Sequence, residues 1–164
     1  MNRTKLPALA PLVATLIACP ATAHADCGDP GQDPCTGPVP TVDQVVAIFA
    51  ELTDPDRPAA SKTDFVTPGF SPDEAGTIDD HLHRMDGHTL PTNFVVTNIQ
   101  PAPNNFAGAT LETVGIPRQH SSPHPIVLVD QGGHWLITHD SAVAEVDVIW
   151  RTAHRYIYVP GFAK

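Results

Sequence analysis

Basic side chains are scarce in this chain. Nine Lys and Arg stand against 18 Asp and Glu, a formal charge of −9 at neutral pH. That deficit argues against nucleic acid and against anionic membrane surfaces as partners. Also missing is an apolar run of the ~20 residues that a membrane span needs. The mostly apolar stretch from Leu6 to Ala18 is shorter and is interrupted by Pro7 and Pro11. Neither Cys-x-x-Cys nor His-Glu-x-x-His spacing occurs, so no redox or zinc motif of fixed register is written into the chain. There is no internal repeat and no long low-complexity tract.

What stands at the N-terminus has the order of a secretory signal peptide, expected over residues 1–25 and implying a secreted, extracellular product. Arg3 and Lys5 form the charged region, Leu6 to Ala18 the apolar region, and Ala23-His24-Ala25 a small-x-small cleavage site before Asp26. A rival site lies inside the same segment. Leu16-Ile17-Ala18-Cys19 fits the pattern by which bacterial lipoproteins acylate a cysteine, and retention of Cys19 would give a lipid anchor at the cell envelope. Pro20 stiffens the chain directly after that cysteine, so cleavage after Ala25 is favoured. Removal of Arg3 and Lys5 takes the nine basic residues to seven against 18 acidic ones, a charge near −11.

Cleavage after Ala25 also leaves an even cysteine pair, Cys27 and Cys35. Export places the pair where disulfides persist. The intervening Gly28-Asp29-Pro30-Gly31-Gln32-Asp33-Pro34 folds back easily, so a Cys27–Cys35 bridge is expected, contributing at most ~2–3 kcal/mol for so short a loop. Residues 26–40 lack apolar periodicity and read as an irregular arm stapled by that bridge.

Order begins at Thr41. Thr41 and Gln44 make a capping box, and Val45, Ile48, Phe49 and Leu52 recur at helical spacing before Asp54-Pro55. Residues 56–70 read as an irregular connection. A second capping box, Ser71 with Glu74, opens a helix whose apolar stripe is Ala75, Ile78, Leu82 and Met85, with Gly87 as its stop. The texture then turns to β-branched and aromatic residues over 92–100, 105–114 and 125–130. Gly132-Gly133 supplies a hairpin tip, and Trp135-Leu136-Ile137 the returning strand. Asp140 or Ser141 caps a last helix with Val143, Val146, Ile149 and Trp150 on its buried side. The fold class is therefore α+β: two N-terminal helices and a C-terminal helix packed on a curved antiparallel sheet, in one domain over residues 41–151. The acid-free tail, residues 152–164, carries Tyr156-Ile157-Tyr158-Val159. It reads as an edge strand, a strap across the acidic surface, or a frayed end.

Several strings resemble the low-molecular-weight secreted antigen family of mycobacteria and related actinobacteria. They are Val39-Pro40-Thr41, Leu52-Thr53-Asp54-Pro55, Ile78-Asp79-Asp80-His81, and Leu90-Pro91 with Phe94. The most specific are Thr97-Asn98-Ile99-Gln100-Pro101 and Asp130-Gln131-Gly132-Gly133 with Trp135. The resemblance covers Val39 to Val146. It implies a secreted protein with a cone of cystatin-like or nuclear-transport-factor-like kind. It implies no defined activity and supplies no catalytic residues. The cysteine-bracketed arm and the aromatic tail after Trp150 depart from its pattern.

Chemistry-bearing residues are thinly spread. Of eight histidines after Ala25, His81, His83, His88, His120, His124, His134, His139 and His154, His83 stands four residues after Asp79 on the second helix, so both could face one ion. That pair is a weak metal candidate. Surface histidine is the plainer reading. Asp79, Asp80, Asp147 and Glu112 are the acids read as lying inside elements, and no acid–base pair can be assembled from them. No cofactor is implied. The functional reading is a binding or interaction module for an unknown protein or a small hydrophobic ligand, the latter carried in the cone interior. A small enzyme using an Asp or His base is the less favoured alternative. Phe49, Ile78, Leu82, Phe94, Val96, Leu111, Leu128, Trp135 and Trp150 are the expected core.

Overall fold

The first helix begins where its capping chemistry puts it. In the computed structural model, which describes residues 27, 31–85, 90–115 and 121–154, Thr41 Oγ1 accepts from Gln44 N at 3.2 Å. Gln44 Oε1 accepts from Thr41 N at 2.8 Å. Helix α1 spans Val42–Leu52 and buries Val45, Ile48, Phe49 and Leu52. Thr53 closes it, its hydroxyl donating to the Phe49 carbonyl at 2.8 Å. Helix α2 spans Pro72–Met85 and opens the same way, with Ser71 N donating to Glu74 Oε2 at 2.9 Å. Gly87, read as its stop, lies outside the described residues.

The connection between these helices is not irregular. Ala59–Asp64 forms a 3-10 helix, and Val66–Thr67 forms a short strand, β1. The 3-10 segment is held from both sides. Lys62, fully buried, donates through Nζ to the carbonyls of Leu52 at 2.6 Å and Asp54 at 2.9 Å. These carbonyls lie at and just past the end of α1, where helical partners run out. Burial pushes the Lys62 ammonium down to about 8. On the other side Asp79 Oδ1 accepts from Ala59 N at 2.8 Å.

Four longer strands follow: β2 (Asn93–Ala102), β3 (Phe106–Val114), β4 (His124–Asp130) and β5 (Trp135–Thr138). The sheet order is β1-β5-β4-β3-β2. β1 runs parallel to β5, with Val66 opposite Ile137, and every other pair is antiparallel. Helix α3 (His139–His154) closes the chain's described part. Alternation along β3 puts Ala107, Ala109, Leu111 and Thr113 on the face that meets the helices. That face forms one core with Phe49, Leu82 and Ile149. All the expected core residues are buried except Trp150, which packs half-buried against the cluster.

The two most family-specific strings have backbone explanations. Thr97-Asn98-Ile99-Gln100-Pro101 falls on a break in the β2–β3 register between Thr97 and Gln100, where Asn98 takes φ 53°. Asn tolerates that left-handed conformation better than most residues. In the hairpin, Gly132 and Gly133 have φ of 68° and 89°, and Asp130 Oδ1 accepts from Gly133 N at 2.6 Å. The tip then reaches back to β1: Gln131 Nε2 donates to Thr67 Oγ1 at 3.1 Å.

The last helix corrects the sequence reading twice. It begins at His139, and Ser141 does not cap it. Instead Ser141 Oγ accepts from Val127 N at 2.9 Å, clasping β4. Its buried stripe is Ala142, Glu145, Val146, Ile149 and Ala153, with Val143 and Trp150 only half-buried. Cys27 and Cys35 form a disulfide with Cα atoms 4.9 Å apart, on a segment whose residues 31–39 are mostly exposed. Among the described residues no helix is long and apolar enough to cross a membrane.

Candidate functional site

The residues singled out from sequence do not converge. The Asp79 carboxylate is committed to Ala59 N, while His83 Nδ1 lies 2.7 Å from the Asp79 carbonyl and donates to it. Among the described residues no group of three His, Cys, Asp or Glu is placed to hold a metal. Cys19, Ala25, His88, His120 and the tail from Arg155 lie outside the described residues.

An acid–base pair does exist, around an acid missing from those read as lying inside elements. Glu145 sits in the interior of α3 and is fully buried. Its Oε1 accepts from Thr113 Oγ1 at 2.6 Å, and its Oε2 faces His124 Nε2 at 2.5 Å. His124 lies beside Leu111 in the β3–β4 register, which places it on the helix-facing side. Its Nδ1 is 3.0 Å from the Ser122 carbonyl. A carbonyl only accepts, so Nδ1 carries a proton. The Glu145 hydrogen bond raises His124 above the ordinary imidazole value, against the opposing effect of burial. Ser121 completes the cluster, its hydroxyl accepting from Thr113 N at 2.7 Å. The sequence signal was available: a charged residue within a stripe that runs Ala142, Val146, Ile149, Ala153. Chemically the arrangement is closed. One ring nitrogen of His124 is engaged by Glu145 and the other by a main-chain carbonyl, which leaves neither to take a proton from a substrate.

A second feature is open. A groove of about 320 Å³ runs between α2 and α3. Ile78 and Val146, both buried, form its floor, with Thr77 and Val143 beside them. Carboxylates of Asp73, Glu74 and Asp147 stand on its rim. Glu74 is fixed: hydrogen bonds from Ser71, then from His139, hold its carboxyl down to about 2. His139 in turn lies between Glu74 Oε1 at 3.2 Å and Asp140 Oδ1 at 3.1 Å, and both contacts raise its pKa. Asp147 pairs with Arg151 one helical turn on. At the far end His81 stacks on Trp150, ring centroids 4.0 Å apart and nearly parallel. Burial lowers the His81 pKa, and its ring walls the groove at this end. A second groove of about 280 Å³ lies between α1 and the β5 hairpin, over Ile48 and Phe65.

Comparison with known proteins locates this architecture. The family described as low molecular weight antigen MTB12, C-terminal domain, matches residues 38–149. That interval holds both grooves and the Glu145–His124 pair. The low molecular weight antigens MTB12 of Mycobacterium bovis and Mycobacterium tuberculosis are each 34% identical to the chain over 113 residues, 68% of this chain and 67% of theirs. The match on that scale, over the two helices, the hairpin and most of α3, shows that the chain belongs to the MTB12 low-molecular-weight antigen family.

Proposed function

We propose that this chain is an exported antigen-like protein that acts by binding, through the groove between α2 and α3, and not by catalysis. One observation carries the reading: the helix-facing side of the sheet is filled by core side chains, while the α2–α3 groove stands open with an apolar floor and an acidic rim. A concave apolar site with a few placed polar groups is the usual form of a binding surface. The closed geometry of His124 supports the non-catalytic half of the proposal. The order of charged, apolar and small-x-small segments before Asp26 supports export, with residues 26–40 as an arm, residues 41–151 as the domain and residues 152–164 as its tail.

Native mass spectrometry of protein recovered from the cell's own medium tests this directly. The expected species begins at Asp26, is two hydrogens lighter than its reduced form, and carries no stoichiometric small molecule. An acylated species beginning at Cys19 would replace free secretion by a tether at the envelope. A stoichiometric apolar adduct would replace partner binding by a carrier role.

A further inference from the structure

Resting on that reading of the groove, we infer that its occupant is a basic amphipathic segment of a partner protein, about two helical turns long. Size argues for a segment of that length. From Asp73 to His81 helix α2 rises about 12 Å, matching two turns of a facing helix. The volume accepts a few apolar side chains, at the low end of what a small-molecule site offers. A helix laid in a groove presents such side chains at i, i+3, i+4 and i+7, and Ile78, Val143 and Val146 are the surfaces they meet.

Charge decides which helix. Asp73, Glu74 and Asp147 ring the floor, with Asp140 beside His139 at one end. Against these four carboxylates stand Arg151 on Asp147 and the His139 imidazole between Glu74 and Asp140. Among the described residues of the groove the balance stays negative even with His139 and His81 protonated. Asp73 has no ion-pair partner among the described residues, and Glu74 is held in place by Ser71 and so costs no reordering on binding. An acidic or neutral amphipathic segment would bury its apolar side while stacking like charge or leaving Asp73 uncompensated. Lys or Arg flanking the apolar stripe removes both penalties and speeds encounter with a strongly acidic molecule.

The test uses the ¹⁵N-labelled exported chain and two synthetic helical peptides of about four turns. Both carry Leu at i, i+3, i+4 and i+7; one has Lys at the flanking positions and the other Glu. The Lys peptide is expected to shift the amides of Thr77, Ile78, Val143 and Val146, and to bind about tenfold more weakly when salt is raised from 50 to 500 mM. Asp73→Asn should weaken it about threefold. Thr77→Tyr, which fills the groove from an exposed position, should weaken it at least tenfold without moving the unfolding midpoint. Equal binding of the Glu peptide at the same amides overturns the basic segment and leaves the groove standing. Shifts scattered elsewhere and indifferent to Thr77→Tyr, or none with either peptide, overturn the groove as well.

Discussion

Glu145 shows how one residue changes what a helix face means. A buried carboxylate is unfavourable unless it is paired and hydrogen-bonded, and this one receives Thr113 Oγ1 and His124 Nε2. Because His124 Nδ1 must donate to Ser122, Nε2 can donate to Glu145 only as an imidazolium. The folded pKa of His124 is raised above about 6.5, so its contribution to stability is complete below that pH. It is lost as pH rises through the folded value. Above it the neutral ring turns a lone pair toward a carboxylate. Glu145→Gln replaces that carboxylate by an amide that still accepts from Thr113 and can donate to neutral Nε2. The variant should therefore be less stable than the parent at pH 5.5, by about 1–2 kcal/mol, and should draw level or pass it by pH 8.5. His139 and His81 titrate in both proteins, so the readout is the difference between the two urea midpoints across pH. Parallel profiles would mean that the pair does not titrate in the folded state.

At the scale of elements, legibility followed locality. Capping boxes at Thr41 and Ser71 and the glycine pair at 132–133 act over three or four residues, and each element they mark is where the sequence put it. The same holds for the alternation of β3. The segment between α1 and α2 was opaque because its partners are remote. Two residues, Val66 and Thr67, carry no readable period, and their strand exists through pairing with Ile137 and Thr138. The 3-10 helix before it rests on Asp79, twenty residues ahead, and on carbonyls behind it that only a buried Lys62 reaches. The α3 stripe was misread for a related reason: a charged residue was left out of it, and only Thr113 and His124, from other elements, make its burial tolerable. Groove residues stayed hidden because Ile78 and Val146 look like any other core positions in one dimension. Asp79 gives the remote support a measurable form. Asp79→Ala should cost about 1 kcal/mol, as loss of a capping carboxylate does, and Asp79→Asn distinctly less. Hydrogen exchange should quicken at residues 59–66 and at Ile137, whose amide donates to Phe65 O, while the β3–β4 ladder keeps its protection. Uniform acceleration over the whole sheet would show instead that the 3-10 segment is part of one indivisible unit.

For the whole molecule the question is whether the disulfide or the core carries the fold. Small secreted domains depend on disulfides when their cores are too small to support them. Here, among the described residues, the core joins α1, α2 and α3 to β1 through β5, and the chain is closed over long distances: β1 pairs with β5, and His134 Nε2 hydrogen-bonds the Asp64 carbonyl. The Cys27–Cys35 bridge closes a loop with a sequence separation of only 8 and lies before Pro40, the first buried residue of the described chain. A bridge stabilises by restricting the unfolded chain relative to the folded one. Where the bridged segment does not order together with the core, it restricts both states alike and its contribution to core stability vanishes. The ~2–3 kcal/mol available to so short a loop is thus a ceiling for an arm that folds with the domain. Reduction, or the double variant Cys27→Ser with Cys35→Ser, should leave a single cooperative transition within about 1 kcal/mol of the parent. Proteolytic cleavage between residues 27 and 40 should accelerate strongly, because the loop then loses the restraint of the bridge. A loss near the ceiling would place the arm inside the cooperative unit and make it part of the surface that any partner meets.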